Sequence, residues 1–335
     1  MSRRDIGTDD PRVRVRPGKG SRPRTKIRPD YSDARRGRVL RIDRGRYHVR
    51  MLDDGVDVVA VKARELGRGK LAVGDVVAMV GDLTGTKDTL ARIAAIDERT
   101  TVLRRTAEEG EASGTERIIV ANADQLVIVT ALAQPEPRPG MIDRCLVAAY
   151  DAGMTPILML TKADLADPAE LLALYDALDL QILVSSTAPV DPHADLTPVR
   201  EALTGHVSVL VGHSGVGKST LLNALVEGAG RETGHVNEVT GRGRHTSTSA
   251  MAFDFPGGAI IDTPGVRTFG LAHVGPNDLL RGFPDLEAIA EEACPRGCTH
   301  EEGAIDCALS EVSEPRLVAR VASFRRLLEA KTGSD

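Results

Sequence analysis

Gly212-His213-Ser214-Gly215-Val216-Gly217-Lys218-Ser219-Thr220 is the stretch on which the fold turns. It fits the pattern G-x-x-x-x-G-K-[ST]. The apolar run 207–211 precedes it and the amphipathic run Thr220-Leu221-Leu222-Asn223-Ala224-Leu225 follows it. The loop therefore lies between a buried strand and a helix, the setting that the pattern requires. Its glycines let backbone N–H groups wrap phosphates, and the N-terminus of the helix faces the anion. Lys218 is placed to reach the β- and γ-phosphates, and Ser219 to ligate Mg²⁺.

Outward from this loop, apolar runs at 118–120, 126–132, 157–160, 182–184 and 259–261 read as buried strands. Amphipathic stretches at 142–150, 168–178 and 218–226 have helical length. Strands alternating with helices predict an α/β domain with a largely parallel sheet. Asp262-Thr263-Pro264-Gly265 follows the strand at 259–261 and begins 43 residues after Ser219. A carboxylate there can hold Mg²⁺ through water, and the Gly265 N–H can contact a γ-phosphate. Thr161-Lys162-Ala163-Asp164 follows another strand end. The Asp164 carboxylate can accept hydrogen bonds from guanine N1 and N2, a donor pair that adenine lacks, and the Lys162 stem can lie over the base. Many GTPases carry Asn-Lys-x-Asp; here Thr161 stands at the Asn position, so the amide and part of the base affinity are expected to be lost. Ser185-Ser186 ends the next strand and can offer a backbone N–H to guanine O6. Together these positions favour GTP over ATP.

The base-reading pair at 161–186 precedes the phosphate loop at 212, the reverse of the familiar order, so the motif order is permuted. Between the phosphate loop and Asp262 lies Gly241-Arg242-Gly243-Arg244-His245-Thr246-Ser247-Thr248-Ser249, polar and Gly-flanked like a switch loop. Thr246 and Thr248 are both candidates to complete the Mg²⁺ shell. The residue after Gly265 is Val266, where many GTPases place a water-orienting Gln, so slow intrinsic turnover is expected. His245 is a candidate replacement, because imidazole can accept a hydrogen bond from water near neutral pH. His213 is expected to face solvent.

Residues 37–98 hold short apolar runs separated by turn signals at 43–45, 53–55, 67–69 and 81, which predicts a small β-barrel, with the OB-fold a natural form. Tyr47 is its single aromatic residue, so backbone and shape contacts are expected over base stacking. Residues 1–50 carry 17 Lys and Arg against 6 Asp and Glu, while the whole 335-residue chain has a net charge of −5. The first fifty residues thus hold +11 and the remainder −16. A basic arm over 1–36 on an acidic body suits a polyanion, most often nucleic acid, and a solubilising tail is the alternative. From 276 to 335 the chain reads as helices around Cys294-x3-Cys298-x-His300-x6-Cys307, which uses three of the four cysteines. Three thiolates and one imidazole make a closed structural zinc set. Hydrophobic residues form 41% of the chain, which excludes global disorder, and no apolar run approaches the ~20 residues of a membrane span. The N-terminus lacks the apolar core of a secretory signal, and four cysteines are too few for a disulfide scaffold, so a cytosolic location is expected.

On the residues Thr161 to Asp164, Gly212 to Thr220, Gly241 to Thr248, Asp262 to Gly265 and the cysteine cluster, the chain resembles the circularly permuted GTPases of the ribosome small-subunit-dependent family (RsgA, also called YjeQ or EngC). Segments Ala121-Asn122-Ala123-Asp124-Gln125 and Ile142-Asp143-Arg144 are also similar, and the likeness runs from about residue 36 to the end. It implies an OB-fold at 37–98, a permuted GTPase domain at 99–275 and a helical zinc domain at 276–335. It also implies Mg²⁺ with GTP, and a cytoplasmic factor acting late in maturation of the small (30S) ribosomal subunit on 16S rRNA, with GTP hydrolysis stimulated by that subunit. The gap from Cys294 to Cys298 is one residue shorter than the family's usual spacing. Two rival functions remain at the level of sequence: an RNA-binding module that holds nucleotide only for structure, and a P-loop ATPase. The oligomeric state is taken as monomeric.

Overall fold

Alternation of buried and outward residues over five short runs closes a barrel near the N-terminus. Its strands are β1 (Arg35–Asp43), β2 (Arg46–Met51), β3 (Asp57–Lys62), β4 (Val76–Gly81) and β5 (Ala91–Ile96). They are ordered β1-β2-β3-β5-β4, and β4 returns to pair with β1. All pairings are antiparallel except β3–β5. Val39, Val49, Met51, Val58, Ala60, Val77, Met79 and Ile93 fill the interior. Closure leaves no free edge, which is how a strand set this small avoids edge-to-edge association. The computed structural model describes residues 30–67, 71–105, 117–186, 195–226, 229, 250–263, 269, 271 and 273–331. By packing the chain falls into two units, Met1–Asp33 and Ala34–Asp335, and the elements described here belong to the second.

After the barrel come β6 (Val102–Arg105), β7 (Arg117–Ala121), β8 (Gln125–Ala131), α1 (Pro139–Asp151), β9 (Thr155–Thr161), α2 (Ala169–Tyr175), β10 (Gln181–Val184), α3 (Thr197–Leu203), β11 (Val207–Val211), α4 (Lys218–Leu225), β12 (Met251–Phe255) and β13 (Gly258–Asp262). The sheet order is β10-β9-β8-β11-β13-β12, parallel except for the antiparallel β12. All seven residues of β8 are buried, as expected for a central strand covered on both faces. One expectation changes. The run at 118–120 is a strand, β7, but it pairs with β6 in a separate hairpin instead of joining the parallel sheet. It docks on the barrel through a bridge from Val73 to Val120 and an Ala121 N–H to Val73 carbonyl bond of 2.9 Å. Neither β6 nor β12 stands out in the sequence: β6 ends in two arginines, and β12 is interrupted by Asp254.

Two features tie the barrel to the sheet. Arg41 of β1 pairs with Met251 of β12, so barrel and α/β sheet run on as one sheet. Arg50 bridges Asp57 of the barrel at 2.8 Å and Asp254 of β12. Both carboxylates are exposed, so each ion pair contributes at most about 1 kcal/mol. The Arg99–Asp75 pair is stronger. Asp75 is fully buried, takes two guanidinium bonds of 2.6 and 2.8 Å, and accepts the Ala72 N–H at 2.7 Å. Removing one partner from such a pair costs about 3–5 kcal/mol.

The chain closes with α5 (Pro276–Leu280), α6 (Pro284–Ala293) and α7 (Pro315–Ala330). Pro occupies the first helical turn of each, where its missing N–H costs nothing. These helices share a hydrophobic core with the α/β sheet. Phe283 sits 5.9 Å from Tyr150 and 5.6 Å from Phe324, the latter edge-on. Arg320, fully buried on α7, bonds Asp285 and Asp179 at 2.9 Å each. Arg326 reaches Asp143 of α1 at 3.1 Å. Burial pushes the Asp143 carboxyl up, and Arg326 opposes that shift.

Candidate nucleotide site and metal centre

Because β8, β9, β11 and β13 are parallel, the loops after them emerge along one edge of the sheet, where α/β folds bind ligands. The Thr161–Asp164 loop, the 212–217 loop and Asp262 therefore meet despite the permuted chain order. Gly212 leaves β11 at φ +149°, and a Cβ there would lie 2.3 Å from the Val129 carbonyl oxygen. Gly217 caps α4 at φ +97°. Both positions require glycine, one for space and one for conformation. Lys218, the first residue of α4, turns back to donate to the carbonyls of Gly212 and His213, the latter at 3.0 Å. Burial pulls its ammonium below the usual lysine value, and Asp262 pulls it back up. Asp262 is the counterpart. Burial pushes its carboxyl up against the pull of Lys218, and its Oδ1 is buried without a hydrogen-bond partner. A desolvated acid and a desolvated base side by side suit a ligand that carries phosphates and a cation. Ser219 is exposed beside them. Thr263 donates at 2.7 Å to the Leu210 carbonyl and ties β13 to the base of the 212–217 loop.

Thr161 is fully buried, and its hydroxyl donates at 2.6 Å to the Val216 carbonyl. This bond joins the loop after β9 to the phosphate loop. Lys162 does the same from φ +58°, with its ammonium donating to the carbonyls of Gly215, at 2.9 Å, and Gln134. Ala163 is half-buried and hydrogen-bonds the Ser185 carbonyl at 3.4 Å. Asp164 is exposed and makes no hydrogen bond or ion pair among the described residues. The Ser185 N–H is committed to the Leu160 carbonyl at 2.9 Å, so it is not a donor for O6.

His213 also departs from expectation. It is half-buried and lines a cleft of about 360 Å³ with Ser214, Val216, Thr130 and Arg138. One wall of that cleft is the loop between β8 and α1, which sequence reasoning passed over; its only signal is the run Pro135-Glu136-Pro137-Arg138-Pro139. His245, Thr246, Thr248 and Gly265 lie outside the described residues, as does the basic arm through residue 29.

Cys294, Cys298, His300 and Cys307 come together as the spacing predicts. Their ligand atoms all lie within 4.8 Å of one another, and the sulfurs of Cys294 and Cys307 are each 3.7 Å from His300 Nδ1. Such separations fit a single tetrahedral ion bound through Nδ1, and three sulfurs with one imidazole suit a soft or borderline divalent metal. His300 is buried at φ +55°, and its carbonyl accepts from Arg325 at 3.1 Å. No other such cluster occurs among the described residues. Among them, too, no helix is long and apolar enough to cross a membrane.

A family model described as RsgA GTPase matches residues 96–272. The chain is 41% identical over 225 residues to a protein of Ectopseudomonas mendocina (strain ymp) named small ribosomal subunit biogenesis GTPase RsgA, covering 65% of this chain and 64% of that one. A protein of the same name from Pseudomonas aeruginosa (strain LESB58) is 40% identical, with 65% of each chain covered. The matches thus span just under two thirds of the length of these relatives. The crystal structure of YjeQ from Thermotoga maritima matches with a TM-score of 0.63 and 26% identity over 88% of this chain and 98% of that one. The structure of YloQ, described as a circularly permuted GTPase, matches with a TM-score of 0.59 and 21% identity over 88% and 95%, a likeness of fold.

Proposed function

The chain belongs to the RsgA GTPase family, and from that membership we propose that it hydrolyses GTP to GDP and phosphate, is stimulated by the small ribosomal subunit, and acts late in that subunit's maturation. The observation that carries this is the meeting of Asp164, the 212–217 loop, Lys218 and Asp262, whose Oδ1 has no partner, along one sheet edge. In this assignment Asp164 accepts from guanine N1 and N2 while Thr161, Lys162 and Ala163 form its loop, and Ser186 faces O6. Gly212 to Thr220 cradle the phosphates. Lys218 exchanges its two backbone carbonyls for β- and γ-phosphate oxygens. Ser219, Asp262 and either Thr246 or Thr248 hold Mg²⁺, which supplies charge neutralisation on the phosphates when bound. Gly265 contacts the γ-phosphate, and His245 orients the attacking water. Val266 in place of Gln makes the unstimulated reaction slow.

The Cys294, Cys298, His300 and Cys307 set holds one structural zinc ion, and the closed ligand set leaves it no catalytic role. The barrel at 37–98, the zinc-bearing helical part at 276–335 and the basic arm at 1–36 contact 16S rRNA, around the GTPase unit at 99–275. The protein works in the cytoplasm as a monomer. The test is phosphate release from GTP and from ATP, with and without purified small subunits. Slow GTP turnover that rises steeply with subunits, with ATP inert, is the expected result. GTP turnover indifferent to the subunit would overturn the ribosomal part, and turnover of ATP would overturn the guanine part.

A further inference from the structure

The cleft between the 212–217 loop and the β8–α1 loop is held together on purpose-built contacts. Lys162 donates to Gln134 on one side and to Gly215, at 2.9 Å, on the other, so the loop that carries Arg138 is pinned to the phosphate loop. The floor is apolar, with Val129, Met141 and Val216. Two P-loop residues, His213 and Ser214, form one rim, and Arg138 stands on the other. Arg138 is exposed and makes no ion pair or hydrogen bond through its side chain among the described residues. Arg35, Arg50, Arg99, Arg320 and Arg326 are paired with carboxylates, whereas Arg44, Arg64, Arg92 and Arg296 are exposed like Arg138; what sets Arg138 apart is its place on the rim of a cleft that the phosphate loop shares. A planar, permanently charged fork left without a carboxylate beside a phosphate-binding loop is suited to oxyanions.

We propose that Arg138 is a further catalytic residue, a built-in arginine that reaches over Ser214 to the γ-phosphate end of GTP; this rests on the GTPase assignment above. In the step it serves, the water oxygen bonds to the γ-phosphorus and the bond to the β,γ-bridging oxygen breaks. The electron pair leaves with GDP, and both water protons end on inorganic phosphate. Negative charge grows on the bridging and γ-oxygens as this happens, and a guanidinium there stabilises the transition state more than the ground state. The sequence supplies the need, because Val266 cannot orient water or donate a hydrogen bond where many GTPases use Gln. Arg138 stabilises charge and does not replace the water-orienting role assigned to His245, so the two act on different atoms.

The test compares the full-length wild type with Arg138→Ala and Arg138→Lys. Read are single-turnover GTP hydrolysis at saturating nucleotide, Kd for GTP and GDP by fluorescence titration, and formation of the GDP–aluminium fluoride complex, which mimics the transferring phosphoryl group. Arg138→Ala is expected to slow hydrolysis about 20-fold or more, the scale of an arginine supplied in cis. It should also abolish the fluoride complex while leaving Kd within about twofold. Arg138→Lys should recover only part of the rate, because a point charge lacks the fork. Hydrolysis and fluoride complex unchanged in Arg138→Ala would overturn the proposal, as would a loss of rate matched by an equal loss of GDP affinity, the mark of a merely structural residue. A wild type that hydrolyses no GTP would instead overturn the GTPase assignment, which the same experiment reads separately.

Discussion

At the base end of the site, Thr161 and Lys162 spend their polar atoms on the protein itself, on the carbonyls of Val216, Gly215 and Gln134. At the phosphate end, Lys218 is folded back on its own loop and Asp262 keeps a buried oxygen without a partner. One end is held shut by internal hydrogen bonds; the other carries the electrostatic cost of groups waiting for a ligand. On the proposed assignment, nucleotide gives partners to the groups at the phosphate end, while at the base end it meets a frame already formed, beside the exposed Asp164.

The largest test of this contrast is Lys218→Ala. Removing the ammonium that the assignment moves from the Gly212 and His213 carbonyls onto the phosphates should cost about 10²–10³ in turnover, measured as phosphate release. A loss below tenfold would mean that the phosphate end is not where the site does its chemistry. Next comes Asp164→Asn, which removes the acceptor of two guanine donors. Competition binding should show GTP preference over ATP falling by about 10- to 100-fold, in line with 1–3 kcal/mol for a lost buried pairing. Equal loss of affinity for both nucleotides would place Asp164 in the frame rather than at the base.

Thr161→Val sharpens the distinction further. The buried Val216 carbonyl would lose its 2.6 Å donor, at a cost of about 1–3 kcal/mol. GTP and GDP affinities should fall together by about tenfold, with selectivity over ATP unchanged, because the damage is to the joint between the loops. Thr161→Asn should restore affinity if the larger amide reaches the same carbonyl. The smallest effect is on stability without nucleotide. Burial raises the Asp262 carboxyl above its unfolded value, so the folded chain takes up a proton first as pH falls. That group therefore disfavours folding at neutral pH, and the penalty is relieved as pH drops through the raised value. Denaturant melts between about pH 4 and pH 7 should show Asp262→Asn more stable than wild type at the upper end, with the gap closing toward the lower. A constant gap across that range would mean that Asp262 is not the titrating group.

Much of this was legible in the chain. Each of the five barrel strands coincides with an apolar run bounded by turn residues, because a pleated strand with one buried face must alternate. The glycines of the phosphate loop and the four metal-ligand residues declare themselves through spacing, since backbone sterics and tetrahedral geometry leave few substitutes. What escaped was polar or short. Strand β12 carries Asp254 in its middle and borrows its place from pairing with β13 and β1. The run at 118–120 has the composition of a core strand and went to a hairpin because Val73 of the barrel loop was there to receive it.

The family, the strand–loop–helix of the phosphate site, the closed barrel and the metal-ligand set could be read from the chain alone, because all depend on local pattern or on residue types that chemistry cannot exchange. Tertiary structure alone decided which way Thr161 points, that Ser185 has no N–H to offer, that Lys162 fastens two loops, and that Arg138 stands over the cleft beside Ser214. The physical reason is the same in each case. A side chain's partner is set by which distant carbonyl or carboxylate the sheet order brings within about 3 Å, and that distance is not written in the spacing of residues along the chain.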